Sequence, residues 1–375
     1  MKQKTLLLLV MLLVFACNPS DDVEGLMTTD DTTTMEEPSS SNTNDPGPVQ
    51  DNRNKHTILS YFESLLSNEE VLVGQQCGDA PDSTASYFTT YVEKLADETG
   101  KHVGLIGADF GWSSGDNYPV QTLIDHWYAG GLVTASWHAD NPFVDGVDVY
   151  WDTVKDKDKI NLRALLRDAD PTTKEWKSYH SELDKVARAL QKLRDAGVTV
   201  IWRPFHEMNG SFFWWGTNAN GNQQTNEDDY KALWIDLYNT LLWDYGLDNL
   251  IWAYSVVPSE TWYAAVTAYY PGDAYVDIVG MDYYGVRPDF PHYEALKALG
   301  KPLVMSESGP REAGYGNWNM MEWAAMLKGK AAYFLQWHSW NGAAVAIKDN
   351  KNTIEMMNSS DVITLEEIEI PQELN

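Results

Sequence analysis

The sequence predicts an α/β protein, a (β/α)8 TIM barrel, and three observations support this fold class. Eight short, nearly continuous apolar runs follow one another from residue 71 onward. Stretches with apolar residues at three- and four-residue spacing, typical of amphipathic helices, lie between them. A glycine stands near the end of several of these stretches, where helices commonly stop. Apolar strands that alternate with helices form parallel sheets covered by helices, and eight such units suggest a closed barrel.

The strand candidates can be read in chain order. They are VLVGQQ (71–76), HVGLIGADF (102–110), LVTASWH (132–138), VTVIWRPFHE (198–207), LIWAYS (250–255), VDIVGMDYY (276–284), PLVMSES (302–308) and AAYFLQWH (331–338). Helix candidates between them include YFTTYVEKLADETG, SELDKVARALQKLRDAG and DYKALWIDLYNTLLWDYG. The alternative is a doubly wound open sheet. Such sheets usually carry a glycine-rich phosphate turn after the first strand, and VGQQCGDA does not match that pattern.

The N-terminus predicts export. Two lysines precede an apolar run that is too short to span a membrane, so residues 1–17 read as a signal peptide. Its end, VFAC, resembles a bacterial lipobox, which implies cleavage before Cys17 and lipid attachment to its thiol; a plain secretory signal is the alternative. The acidic SDD that follows resembles the export tag of surface lipoproteins in Bacteroides-like bacteria. We therefore expect a lipoprotein of the outer membrane, facing the cell surface or the periplasm.

The segment 18–52 is predicted to be a disordered tether, because its Ser, Thr, Asn, Asp, Glu and Pro residues cannot bury enough apolar surface to fold. The (β/α)8 domain then spans 53–375. Lipidation of Cys17 would leave Cys77 as the only other cysteine, without an intrachain partner. We expect Cys77 to be a small buried residue or to line a site.

Charge and composition limit the possible partners. The formal net charge of -28 disfavours nucleic acids and acidic polysaccharides, which such a field repels. Sixteen Trp and twenty Tyr favour a neutral extended polymer such as a glycan, gripped on exposed rings, although many of these rings must serve the core. No cofactor is expected, and the chain is expected to be a monomer.

The barrel prediction places the polar residues at the carboxyl ends of the strands on the active-site face. These residues are Gln75, Gln76, Asp109, Trp137, His138, Arg203, His206, Glu207, Asp282, Tyr284, Glu307, Trp337 and His338. Glu207 follows the fourth strand and Glu307 the seventh, so the two can face each other across the barrel mouth. A close pair of carboxylates is the arrangement that retaining glycoside hydrolysis uses, with one as nucleophile and the other as acid.

At this point two segments carry a resemblance. RPFHEMNGSFFWWG (203–216) and VMSESG (304–309) resemble the acid/base and nucleophile segments of glycoside hydrolase family 26, a β-mannanase family of barrel glycosidases. The resemblance covers roughly residues 55–370. It implies that Glu207 is the acid/base, Glu307 the nucleophile, and the activity that of a retaining endo-β-1,4-mannanase. Other specificities of the family remain open: exo-acting mannobiose release, β-1,3-xylan and mixed-linkage glucan.

The resemblance also implies binding roles. His206 lies beside the 2-hydroxyl of the reacting sugar, and Arg203 and Tyr284 hold Glu307 in its ionised form. His138 and Trp337 line the subsite where the sugar is distorted, and Asp282 is a candidate hydroxyl ligand. Trp112, Trp214 and Trp215 are candidate stacking platforms. Two positions depart from the family pattern: Phe212 replaces a tryptophan near the leaving group, and His338 replaces an arginine that binds a more distant sugar.

Three further interpretations stay open on the sequence. A metal could be bound by the histidines, but no His-x-His or His-Glu-x-x-His spacing appears, so no metal is expected. The long stretch from Asp140 to about Ser178 either extends the groove with Tyr150, Trp151 and Trp176 or forms a cap with its own core. A non-catalytic glycan-binding lipoprotein is the rival to the enzyme, and loss of either glutamate would have favoured it.

Overall fold

A computed structural model describes residues 54–112, 115–216, 226–259 and 263–370. Within these ranges, the chain forms one sheet whose strands all run parallel. The strands are β1 (Val71–Gln76), β2 (Leu105–Asp109), β3 (Leu132–Trp137), β4 (Val200–Pro204), β5 (Leu250–Val256), β6 (Ile278–Gly285), β7 (Leu303–Pro310), β8 (Tyr333–Gln336) and β9 (Val362–Ile363). All eight strands predicted from the sequence are present.

The sheet closes on itself. Each strand from β1 to β8 pairs with the next, and β8 returns to β1 in parallel register, with Leu72 opposite Tyr333 and Gln75 opposite Gln336. Parallel closure with a helix after most strands is a (β/α)8 barrel, so the predicted fold class is confirmed. The open doubly wound alternative is excluded, because its edge strands do not pair.

Helices cover the outside of the barrel. They are α1 (Lys55–Ser67), α2 (Thr84–Tyr87), α3 (Lys94–Thr99), α4 (Val120–Tyr128), α5 (Lys174–Asp195), α6 (Glu227–Asn239), α7 (Tyr293–Lys297), α8 (Met320–Leu327) and α9 (Thr353–Met357). Helix α5 shows why they form: its buried residues recur every three or four positions and make one apolar stripe. The side chain of Thr173 caps its first turn by accepting from Trp176 N (3.3 Å).

The structure adds elements that the sequence did not predict. Helix α1 precedes the first strand, and the short β9 pairs with the start of β1 through Val71 and Val362. Helix α5 begins at Lys174, so the insertion after β3 is shorter than the predicted 140–178. Within the described ranges, none of the helices combines the length and the apolar content needed to cross a bilayer. The predicted signal peptide and the tether lie outside the described residues.

The core is rich in aromatic side chains, and most of the described tryptophans belong to it. Trp323 on α8 is fully buried, with its ring 5.1 Å from that of Trp318 and 6.2 Å from that of Phe334 on β8. Trp243, in the turn that follows α6, is 72 % exposed. The two residues therefore offer the same side chain in opposite environments.

We expect Trp323→Ala to lower the free energy of unfolding by about 3–5 kcal/mol, because it removes a buried ring between a helix and the barrel. Trp243→Ala is the matched control and should change it by no more than about 0.5 kcal/mol. Urea unfolding followed by circular dichroism measures both. Equal losses in the two variants would contradict this description of the core.

Candidate active site

The carboxyl ends of the strands bring the predicted polar residues to one face of the barrel. Asp109, Arg203, Asp282, Tyr284 and Glu307 lie within strands, and His138, His206, Glu207, Trp337 and His338 follow strand ends directly. Gln75 and Gln76 have a structural role at this face, because their side chains bond to backbone groups. The Gln75 side chain donates to the backbone of Gln336 (3.0 Å) and accepts from Ile347 N (3.1 Å), and that of Gln76 donates to Gly78 O (2.7 Å).

Glu307 is a buried carboxylate held on both oxygens. Arg203 Nη2 donates to Oε1 (2.5 Å), and Tyr284 Oη donates to Oε2 (2.9 Å). The register of β7 shifts near Glu307: against β6 just before Glu307, and against β8 between Met305 and Ser308. Such irregularities change the direction of side chains at barrel rims. Two donors that favour the charged form make Glu307 a carboxylate suited to nucleophilic attack.

Arg203 is the cation at the centre of the site. It is fully buried, and besides Glu307 it contacts Asp282, with Nη1 donating to Oδ2 (3.3 Å). Ser306 Oγ donates to the other oxygen of Asp282 (2.7 Å). Burial alone would lower the pKa of Arg203, but the two carboxylates outweigh it and raise the pKa. Burial raises the pKa of Asp282, and Arg203 offsets this in part.

Glu207 lies in the turn directly after β4, where its backbone is strained. Its φ is 59° and that of Phe205 is 47°, a left-handed conformation that costs energy for residues other than glycine. Its N–H donates to Ser255 O on β5 (2.9 Å), which anchors the turn. Burial, and next the charge of Glu307, raise the pKa of Glu207 well above its usual value. Of the two glutamates, Glu207 is therefore the one whose surroundings favour the protonated form, as a general acid requires.

Two histidines lie beside the glutamates and face each other. His206 Nε2 is 3.1 Å from His138 Nε2 and 3.6 Å from Glu307 Oε1. Burial, and next the positive charge of Arg203, lowers the pKa of His206 well below its ordinary value, so His206 is neutral. His138 Nδ1 contacts Asp109 Oδ2 (2.6 Å). The predicted site residues His138 and His206 are thus brought to Glu307.

The tryptophans that follow Glu207 are not at the surface, which corrects the interpretation of Trp214 and Trp215 as stacking platforms. Both are fully buried. Trp214 Nε1 donates to Ala139 O (2.8 Å) and Trp215 Nε1 to His206 O (2.8 Å), so both rings brace the turn from behind. A sugar needs an open ring face, and these rings have none. The motif itself gave no signal for this, because what covers a ring depends on distant segments.

Other rings do reach the surface on this side of the site. Trp112, half-buried in the β2–α4 connection, lies 5.4 Å from His138 and 5.9 Å from Tyr150, between ring centroids. Tyr150, in the insertion after β3, is 36 % exposed. Phe212 is half-buried, with its ring 6.2 Å from that of Tyr263. These half-open rings, unlike those of Trp214 and Trp215, have accessible faces on this side of the site.

The insertion after β3 is attached to the loop that carries Glu207. Trp151 N donates to Phe212 O (3.0 Å), Trp214 N to Val149 O (3.0 Å) and Trp151 Nε1 to Ser211 O (2.8 Å). Of its predicted groove residues, only Tyr150 is exposed beside the site. Trp176 belongs to the first turn of α5 and stacks on His180 with ring centroids 3.8 Å apart, so it does not extend the groove.

Trp337 and His338, which follow the end of β8, pack against different neighbours. Trp337 packs with Tyr284 and the half-buried Trp340. His338 is only 1 % exposed and lies 4.8 Å from the ring of Tyr87 and 6.1 Å from that of Trp340. Burial lowers its pKa to about 4. His338 is therefore a neutral, enclosed side chain, and its contact with sugar stays a prediction.

The donor set does not suit a metal. In the part of the chain that the structure describes, one group of side chains offers three converging donors, His206, Asp282 and Glu307, within 4.8 Å of one another. Both carboxylates of this group already contact Arg203. A divalent cation here would lie against a guanidinium whose charge the carboxylates already balance.

Cys77 is buried too, which raises the pKa of its thiol and leaves it unreactive.

Comparison with known proteins connects this geometry to a family. The sequence model of glycosyl hydrolase family 26 matches residues 48–367. Mannan endo-1,4-beta-mannosidase A and B of Caldalkalibacillus mannanilyticus is 34 % identical over 358 residues, which are 89 % of this chain but 65 % of that protein. Mannan endo-1,4-beta-mannosidase of Bacillus subtilis is 33 % identical over 312 residues, 77 % of this chain and 82 % of that protein.

Solved structures agree with the sequence comparison. Bacillus subtilis mannanase man26 superposes with a TM-score of 0.72 at 29 % identity, covering 88 % of this chain and 98 % of that one. The chain thus spans most of that structure but slightly less than two thirds of the Caldalkalibacillus relative.

We expect the pKa of Glu207 to fall when the charge of Glu307 is removed, because that charge helps to raise it. In Glu307→Gln, a carbon-13 NMR titration of glutamate carboxyl groups should show Glu207 titrating at lower pH than in the native chain. The exposed Glu355→Gln is the control and should leave Glu207 unchanged. In the native chain, kcat/KM should decline as the pH rises through the pKa of Glu207, since the acid then loses its proton.

Proposed function

Because the chain belongs to glycosyl hydrolase family 26, we propose that it is an endo-acting β-1,4-mannanase that hydrolyses mannan, galactomannan or glucomannan with retention. The observation that carries the proposal is the contrast between the two glutamates. Glu307 accepts hydrogen bonds from Arg203 and Tyr284, whereas the pKa of Glu207 is raised. One carboxylate is ready to attack while the other holds a proton, which is the division of labour that retaining glycosidases require.

The reaction then proceeds in two displacements. In the first, Glu307 attacks the anomeric carbon while Glu207 donates its proton to the glycosidic oxygen, so the C–O bond breaks and a glycosyl-enzyme forms. The negative charge of Glu307 is consumed in that bond, which removes one cause of the raised pKa of Glu207. In the second, Glu207 accepts a proton from water as the water attacks the same carbon, and Glu307 leaves as a carboxylate.

The substrate proposal rests on the relatives and on charge. Two relatives are named as mannan endo-1,4-beta-mannosidases, and the net charge of -28 suits an uncharged polymer. His138 and His206 lie beside Glu307, where the axial 2-hydroxyl of a mannosyl unit would reach them. Trp337 packs against Tyr284, which donates to Glu307, and Trp112 lies beside His138 and Tyr150; with the half-open Phe212, these rings are the candidates for contacts with sugar faces.

Purified chain lacking residues 1–52 tests the proposal on unbranched β-mannan, galactomannan, β-1,3-xylan and mixed-linkage glucan. We expect early release of mixed mannan oligosaccharides, because an endo-acting enzyme cuts within chains. Proton NMR should find the newly formed anomer in the β configuration. Release of mannobiose alone indicates the exo-acting alternative, and an α product indicates inversion.

Variants separate chemistry from binding in the same assay. Glu307→Ala should abolish turnover while the chain stays folded. Glu207→Ala should lose activity on mannan but keep more of it on an aryl β-mannoside, whose leaving group needs no proton. Near-native activity of Glu307→Ala would remove it as the nucleophile. Tight binding of a polymer by the native chain without cleavage of any would instead support a glycan-binding lipoprotein.

We also propose that the protein is tethered to the outer membrane through lipid on Cys17 and takes part in polysaccharide degradation at the cell surface. The support is the lipobox-like VFAC and the acidic residues that follow it. The full-length chain should partition into the membrane fraction, and Cys17→Ser should release it. Protease added to whole cells should then digest the native protein; survival of the protein until the outer membrane is broken would indicate that it faces the periplasm.

A further inference from the structure

Asp109 is a buried carboxylate at the end of β2 that accepts several hydrogen bonds. Gly111 N donates to its Oδ1 (2.7 Å), and Ser136 Oγ donates to its Oδ2, which also lies 2.6 Å from His138 Nδ1. Burial would raise the pKa of Asp109, but the hydrogen bonds that its carboxylate accepts from His138, Ser136 and Gly111 outweigh burial and lower the pKa. Asp109 is therefore ionised and can only accept.

An acceptor at this position decides where His138 carries its proton. Because Asp109 has no proton to give, the contact at 2.6 Å requires N–H on Nδ1 of His138. The other ring nitrogen, Nε2, faces His206 Nε2 at 3.1 Å. A hydrogen bond between these two nitrogens requires one proton, carried by one ring or by the other.

Glu307 decides between those two positions. If His138 held the proton, the bare Nε2 of His206 would face the Glu307 carboxylate at 3.6 Å, lone pair against negative oxygen. If His206 holds it, its N–H points to His138 and lies beside Glu307, which is favourable for both. The order Asp109, His138, His206, Glu307 then has every hydrogen bond donated in one direction, away from Glu307.

We propose that Asp109 is a positioning residue of the active site: by fixing the tautomer of His138 it fixes that of His206, so that an N–H of His206 stands beside the nucleophile. Asp109 is separated from Glu307 by two hydrogen bonds and one contact of 3.6 Å, and it acts through the two rings. The inference rests on the proposed function for its catalytic consequence, but the tautomers themselves exist whether or not mannan is the substrate.

The surroundings of the two rings support this direction. His138 is enclosed by the rings of Trp112 (5.4 Å), Phe213 (5.1 Å) and Trp215 (6.5 Å), none of which accepts a proton. The charged groups near the pair are Asp109, Arg203, Asp282 and Glu307. Among these charged groups of the described residues, Asp109 is the one that lies within hydrogen-bond distance of a ring nitrogen of His138, at 2.6 Å.

Nitrogen-15 NMR of the full chain with ring-labelled histidine tests the tautomers directly. The chain has eight histidines, and loss of one signal set in His138→Gln and of another in His206→Gln assigns the two rings. We expect His138 to be protonated on Nδ1 with Nε2 bare, and His206 to be protonated on Nε2. A bare Nδ1 or a protonated Nε2 on His138 would overturn the proposal without any assay of activity.

Asp109→Asn then reverses the network while keeping its shape. The amide nitrogen donates where the carboxylate accepted, so His138 should move its proton to Nε2 and His206 should lose it there. We expect kcat to fall by at least about tenfold, as for other groups that orient a site histidine. The loss should stay below the ~10⁴-fold caused by a wrong tautomer in a Ser-His-Asp triad, because neither histidine carries the transferred proton here.

A double-mutant cycle separates this role from a structural one. In a His138→Gln background, Asp109→Asn should cost little further activity, because no tautomer remains to be set. An undiminished loss in that background would mean that Asp109 only braces the backbone, and the proposal would fail. Ser136→Ala is the matched control: it removes the other side-chain donor to Oδ2 and should leave the His138 tautomer as in the native chain. A native NMR pattern without mannan cleavage would sink the proposed function and spare this inference.

Discussion

The buried guanidinium of Arg203 is the interaction on which the rest of the site depends. It contacts Glu307 and Asp282 at once, within a barrel end that excludes most water. Two buried carboxylates with one cation between them cannot both be stabilised fully, and breaking such a cluster leaves an uncompensated charge. The same cation lowers the pKa of His206. At Glu207 the charge of Arg203 lowers the pKa, whereas that of Glu307 raises it. Arg203 therefore acts, together with burial, on the pKa of His206, Glu207 and Asp282.

A short stretch after β4 delivers most of this chemistry. Arg203 is the last inward-pointing residue of the strand, and His206 and Glu207 follow within a turn that passes twice through left-handed backbone. Strain of this kind costs of order 1–3 kcal/mol per residue and persists only where the surroundings enforce it. Here Trp215 holds the carbonyl of His206 and β5 holds the N–H of Glu207. The apolar rings beside the charged cluster are thus the supports of a strained turn.

The sequence predicted the barrel and the two glutamates because both are recorded locally. A strand of the barrel is a continuous apolar run. The motifs RPFHE and SES are short contiguous segments, so they can be recognised without knowledge of the fold. The exposure of a ring is not recorded in this way. Trp214, Trp215 and His338 are covered by segments far along the chain, while Tyr150 gains its place beside Trp112 only through the hydrogen bonds of the insertion. The two-residue β9 has no pattern of its own, so only tertiary packing defines it. Helix α1 does carry one, because its buried residues Ile58, Tyr61, Phe62 and Leu65 recur at three- and four-residue spacing.

The attachment of the insertion to the loop of Glu207 makes one side of the groove a single mechanical unit. The backbone of residues 149–151 is bonded to that of residues 212–214, so Tyr150 and the proton donor share one support. On the opposite side, Trp337 and Trp340 belong to a separate small cluster. The two groups of rings therefore differ in how far they can change independently of Glu207. Substitutions in residues 149–151 should disturb the turn of Glu207, whereas substitutions in the cluster of Trp337 and Trp340 should leave that turn in place.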